Sequence, residues 1–249
     1  MLRRAITVAA ALAAGLVVSG CNTVEGQRAQ ELLLEAQAAE AKLTSAAFEA
    51  GLSFTMTGQK VDVVIEGVGS KQGQFVQIRT QGMGDESLDA AFVLRGRSAW
   101  FRLNGPWERM PVPAGIDLGG SASLGSSAFQ ELTKHVQDVR VTEHQVVGGK
   151  PATIIAGEID TVGLLGSLSK LSNLSGSAPS GLGELPDFGE LGAKIGDIRA
   201  VLTIDEETHL LSTALVKLSV EMAGEQLELE LRYRLTAANE PVRIPSPAA

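Results

Sequence analysis

Cysteine occurs once in 249 residues, at Cys21, so no disulfide within the chain holds the fold and its stability rests on packing. Aromatic residues make up only 4% of the chain, with one tyrosine and two tryptophans; a core or cavity here is built from aliphatic side chains. Basic residues are outnumbered 21 to 29 by acidic ones, which argues against nucleic acid as a partner. Catalytic signatures are also missing. There is no P-loop, dinucleotide fingerprint or G-x-S-x-G elbow, and the glycines of "GVGSKQG" at Gly67–Gly73 lie between strands with no helix after them. The three histidines, His135, His144 and His209, are scattered, and Glu143 and His144 point to opposite faces of a strand. These absences point away from an enzyme, a metal site and a cofactor.

What is present begins at the start of the chain. Arg3 and Arg4 precede an alanine-rich apolar run through Ile6, Val8, Leu12, Leu16 and Val17, the pattern of a secretion signal. The run is short for a spanning helix, and the polar "VEGQRAQE" soon follows. Val18-Ser19-Gly20-Cys21 resembles a bacterial lipobox, in which the thiol receives a diacylglyceryl group and cleavage follows ahead of the cysteine; small residues let a peptidase approach. Residues 1–20 are therefore expected to be a lipoprotein signal peptide. Cys21 is the acylated anchor to the outer face of a cell membrane, and 21–28 is a polar tether. Loss of residues 1–20 takes two arginines with it and moves the formal charge from −8 to −10.

From Ala29 to Phe48, Leu32, Leu33, Ala36, Ala39, Leu43 and Ala47 recur at spacings of three and four, predicting an amphipathic helix with Glu31, Glu35, Glu40 and Lys42 on its outer face and an end at Gly51. Beyond it the period becomes two. Leu52, Phe54 and Met56 alternate with polar residues, as do Val61, Val63 and Ile65. The clearest alternation runs through Ala214, Val216, Leu218, Val220 and Met222, then Leu227, Leu229, Leu231, Tyr233 and Leu235. One face of the sheet is apolar and the other wet. Short turns at Gly96, Asn104-Gly105-Pro106, Gly148-Gly149 and Ala223-Gly224 suit antiparallel neighbours and leave no room for crossover helices. The fold class that results is α+β, with a single strongly curved antiparallel β-sheet over residues 29–245. A second helix is expected near Ser126, with Ser127 through Val136 as its body.

Residues 161–196 interrupt the sheet with a glycine- and serine-rich stretch. Leu164, Leu165, Leu168 and Leu171 fall at one-sided helical spacing, among serines and glycines that weaken a helix. Two readings stand side by side: an ordinary capping helix followed by a linker, or a flexible apolar lid with Gly163, Gly166 and Gly176 as hinges.

The lipobox, the N-terminal amphipathic helix, the strands around "AWFRLNGPWERMPVP", the later "VVGGKPATIIAGEID" and the closing "LTIDEETHLLSTALVKLSV" with "LELELRYRLTAANEPVRIPSP" together resemble the LppX/LprG-type lipoproteins of actinobacterial envelopes. More distantly they are similar to the LolA and LolB carriers. The resemblance implies a half-barrel wrapped around helices, with a hydrophobic cavity for the acyl chains of a lipid or glycolipid. On that reading the alternating strands place Phe54, Met56, Val63, Ile65, Trp100, Val216, Leu218, Val220, Leu229 and Leu231 on the cavity wall, while Trp100 and Trp107 have a carbohydrate platform as their other reading. The function that follows is a membrane-anchored envelope carrier or presenter of lipid. The alternative is a non-enzymatic scaffold or sensor that binds a protein through the same sheet. The sequence does not choose an export or transporter partner.

Overall fold

The computed structural model describes residues 24–56, 59–81, 87–110, 133–160, 198–222 and 225–247; the side chains of Met56, Gln59, 220–222 and 225–227 fall outside the description. Among the described residues one helix, α1 (Val24–Glu40), precedes eleven strands. They are β1 (Ser45–Met56), β2 (Gln59–Ser70), β3 (Gly73–Gln81), β4 (Asp89–Arg95), β5 (Ser98–Leu103), β6 (Glu108–Met110), β7 (Val136–Val147), β8 (Lys150–Ile159), β9 (Arg199–Asp205), β10 (Leu211–Met222) and β11 (Glu225–Ala238).

All eleven form a single sheet in the order β6-β5-β4-β3-β2-β1-β11-β10-β9-β8-β7, and every pairing is antiparallel. The chain runs outward from the centre in one meander, β1 to β6, and returns inward from the opposite edge in a second, β7 to β11. The last strand then closes on the first, with Ala46 opposite Ala238 and Phe54 opposite Leu229. Among the described residues β6 and β7 do not pair with each other, so the sheet is an open, curved half-barrel. Its hairpins use the expected turn chemistry: Gly148 and Gly149 have φ of 60° and 85° between the paired Val147 and Lys150, the positive angles that a two-residue turn needs to match strand twist.

The two faces of the sheet differ in chemistry, although on β2 to β5 the face away from the helix also carries an apolar rank of Val68, Phe75, Val93 and Trp100, in which Val93 has no exposed surface. On the outer one, acids and bases alternate across strands, with Arg234 on Glu49, Arg79 on Glu66, Arg102 on Asp89 at 3.0 Å and Lys217 on Glu230 at 3.5 Å. Exposed pairs of this kind contribute roughly 0–1 kcal/mol each; their main effect is to fix which face meets water. On the inner face α1 lies against β7 to β11. Ala29, Leu32, Leu33 and Ala36 pack on Ile155, Leu202, Ile204, Leu211 and Ala214, with Val136, Val139, Val141 and Tyr233 at the margin. Leu202 is fully buried at the middle of this cluster. Leu202→Ala is therefore expected to lower unfolding free energy by about 2–5 kcal/mol, as cavity-forming core truncations do, and chemical denaturation read by circular dichroism measures it.

Three expectations about the local structure need correction. The helix starts at Val24 and stops at Glu40, so residues 24–28 are helical rather than a tether, and Ala46 to Phe48 belong to β1. Alanine favours helix, but pairing with both β2 and β11 across the full length of β1 outweighs that local preference. Gly51 lies mid-strand and ends nothing. The second expected helix, Ser127 through Val136, lies outside the described residues up to Leu132; Thr133 and Lys134 are helical, and Val136 already opens β7.

Candidate functional site

The inner face is apolar far beyond the part under α1. Residues directly opposite one another on neighbouring strands share a face, so the register can be followed across the sheet. Leu103, Ala90, Ile78, Ile65, Ala50, Tyr233, Ala214, Leu202, Ile155 and Val141 form one continuous rank from β5 to β7. A second rank runs through Val63, Leu52, Leu231, Val216 and Ala200, and a third through Val61, Phe54, Leu229 and Leu218.

Burial along these ranks is uneven. Under the helix, Ile155 and Leu202 have no exposed surface and Ile204 has 1%. Toward β1 to β5, Phe48, Val61, Leu94 and Ala99 are buried, whereas Leu52, Phe54, Val63, Ile65, Val76, Ile78, Phe92 and Phe101 are half-buried. Helix α1 thus covers one half of a two-part apolar surface. On β8 to β11, Ile159, Ile198, Ala200 and Val216 form a second, smaller cluster with Leu218 and Leu231 packed against it.

Aromatic packing marks the junction of the two meanders. Phe48 stacks on Tyr233 with ring centroids 5.9 Å apart and planes at 26°. Its ring lies across Gly67, the residue opposite it on β2: a Cβ added there would sit 2.1 Å from the Phe48 ring. Glycine at 67 gives that ring its room.

The expected wall residues can now be placed. Phe54, Val63, Ile65, Val216, Leu218, Leu229 and Leu231 all stand on the inner face, in the ranks above. Met56 and Val220 have the same strand parity, though their side chains lie outside the description. Trp100 does not join them. It pairs with Val93, in a rank with Phe75, Val68 and Ala47 on the opposite face. Along β5 its neighbours Ala99 and Phe101 take the inner positions, and the period of two leaves Trp100 no choice. Trp107 lies under the Arg102 guanidinium, 5.2 Å from the ring centroid, a cation–π contact. Cys21 and the leucines at 164, 165, 168 and 171 lie outside the described residues.

Glu40 is the residue that sequence reading misplaced. Instead of facing water it is 4% exposed, and its Oε2 has no hydrogen-bond partner among the described residues. Burial pushes its carboxyl pKa up to about 8. Its spacing was the available signal: four residues after Ala36 and seven after Leu33, it falls on the same stripe as the buried side chains. Carboxylates nearer water behave in the opposite way. Hydrogen bonds from Thr153 and then His144 hold Glu206 below the usual carboxylate range, with Thr153 Oγ1 at 2.6 Å and His144 Nδ1 at 2.9 Å.

Two cavities lie at the ends of the sheet. One of about 1000 Å³ sits beside the C-terminal half of α1, lined by Glu35, Lys42, Lys150, Asp205, His209 and Leu235 among others. The other, about 510 Å³, lies near Phe54, Leu218 and Leu229, with Arg199, Lys217 and Glu230 at its edge. Among the described residues no group of three His, Cys, Asp or Glu is placed to hold a metal ion, and no helix is long and apolar enough to cross a membrane.

The described residues thus form an open antiparallel half-barrel with α1 on its apolar face, and one solved structure in particular shares this fold. LprF from Mycobacterium bovis aligns over 90% of this chain and 98% of its own, at 16% identity and a TM-score of 0.52. The chain has the fold of LprF. The lipoprotein LppX of Mycobacterium tuberculosis aligns over 87% of this chain and 99% of its own, at 17% identity and a TM-score of 0.45. A LolA superfamily protein from Nitrosomonas europaea aligns over 82% and 90% at 10% identity and a TM-score of 0.26. The fold assignment rests on LprF. No protein-family model matches the chain, and no curated protein matches it.

Proposed function

We propose that this chain is an envelope lipoprotein, anchored to a membrane through Cys21 after loss of residues 1–20, whose half-barrel binds the acyl chains of a lipid or glycolipid and carries or presents it without catalysing a reaction. The observation that supports this most is the apolar rank spanning ten strands, of which α1 covers only the half over β7 to β11. An acyl chain laid on the other half would gain roughly 25 cal/mol for each Å² of apolar surface withdrawn from water, about 0.8 kcal/mol per methylene. A surface of that kind selects for length and apolarity rather than for a reacting group, in keeping with a binding role. The LprF-like fold and the lipoprotein LppX among the structural neighbours are consistent with it.

Uptake of a phospholipid bearing a fluorescent acyl chain tests the reading. The purified protein should take the probe from vesicles saturably, with emission shifted as for an apolar environment, and an unlabelled long-chain phospholipid should compete. Absence of uptake at micromolar protein and probe would count against the proposal.

A further inference from the structure

We propose that Glu40 makes the seating of α1 on the sheet depend on a proton: with its carboxyl neutral the helix closes down on the apolar face, and with it charged the helix lifts. The inference rests on the helix–sheet interface and does not depend on what the open half of the face binds.

The geometry is that of an acid placed where a hydrophobe belongs. Ala29, Leu32, Leu33 and Ala36 form the stripe that α1 buries, and Glu40 continues it at the last turn. Charged groups of the neighbouring strands and turns, Lys150, Asp205 and His209, line the cavity beside the last turns of α1, where Lys150 pairs with Asp205 at 3.9 Å and His209 with Glu35; the side chains in the cluster under the helix are apolar. β7 offers Val136, Val139 and Val141, β8 Ile155, β9 Leu202 and Ile204, and β10 Leu211 and Ala214. From β11 comes Tyr233, the one titratable side chain in that cluster, and its phenol is held above its usual range by burial first and by the charge of Glu40 second. That coupling places the two groups within electrostatic reach. The charged residues of the helix rim are engaged elsewhere or point to water: Arg28 pairs with Glu31 at 3.4 Å, Glu35 with His209 of the β9–β10 turn at 3.0 Å, and Lys42 is exposed. Gln37 reaches Thr133 Oγ1 at 3.0 Å. No cation pairs with Glu40 among the described residues.

Removing an unpaired carboxylate from water is strongly disfavoured, so the docked helix keeps the proton. The sign of the pH dependence follows from linkage. Glu40 titrates at about 8 when docked, against its ordinary 4.5 when released. Between those values the docked state holds a proton that the released state has lost. Docking therefore weakens as pH rises, by about tenfold per pH unit, and levels off above about pH 8. Asp62 and Glu206, whose pKa values are lowered, act in a separate window: their stabilisation is complete above the ordinary carboxylate range and is lost as pH falls below it.

Hydrogen exchange on the full chain at pH 6, 7 and 8, corrected for intrinsic exchange rates, tests the latch. Protection of the α1 amides should fall about tenfold from pH 6 to 7 and about fivefold from pH 7 to 8 in the natural protein, and more than protection of β8 to β10. Glu40→Gln and Glu40→Leu should each remove that slope from the helix. Helix protection that does not change with pH in the natural protein, or a slope that persists in both variants, overturns the proposal.

Discussion

Leu218→Asp is expected to cut lipid uptake by tenfold or more. Leu218 stands on the inner face opposite Leu229 and packs against the cluster of Ile159, Ile198, Ala200 and Val216. A carboxylate there has no cation on the same face of its neighbours, since Lys217 and Arg232 lie in ranks that point outward. An acyl chain passing over it would bury an unpaired charge, which costs several kcal/mol, and each 1.4 kcal/mol is about a factor of ten in affinity. The control is Trp100→Ala on the opposite face, which should leave uptake close to normal. Circular dichroism separates loss of binding from loss of fold. A well-folded Leu218→Asp protein with undiminished uptake would show that lipid does not lie on this face.

Cys21→Ser should release the protein from the membrane altogether. The thiol is the expected acceptor of the diacylglyceryl group, and a serine hydroxyl is a much weaker nucleophile near neutral pH. A single acyl chain holds only marginally, whereas two or more anchor firmly because each buried methylene adds about 0.8 kcal/mol. The expected effect is therefore all or none: the natural protein should partition with membranes and incorporate a palmitate probe, and the variant should stay unlabelled. Palmitate labelling of Cys21→Ser would refute the anchor.

The ranks on the two sheet faces were legible because a period of two in a half-buried strand records burial directly. Val216, Leu218, Leu229 and Leu231 alternate with Lys217, Glu228, Glu230 and Arg232, and the register sets each group on its own face. Where both faces of a strand carry apolar residues, parity is harder to read. In β5, Ala99, Trp100 and Phe101 are successive apolar residues, and only the pairing with β4 shows that Trp100 meets Val93 while Phe101 meets Phe92. The helix boundary failed for a different reason. The run from Ala41 to Phe48 carries helix-favouring alanines, and its strand character comes from β2 and β11, the latter paired across nearly two hundred residues. Glu40 was misread because residue type was given more weight than its place on the helical stripe. A buried unpaired acid contradicts the usual pattern, and such departures are where a functional device is worth seeking.

If the half of the apolar face not covered by α1 holds acyl chains in the cell, lipid should travel with the protein when it is isolated. Native mass spectrometry of the protein purified from its own membranes, with solvent extraction of the same sample, measures this most directly. A non-covalent adduct in the mass range of a diacyl or larger lipid is expected, lost on extraction, recovered as an acylated compound in the organic phase and diminished in Leu218→Asp. A protein carrying no lipid adduct when isolated gently, or an adduct equally abundant in Leu218→Asp, would contradict it.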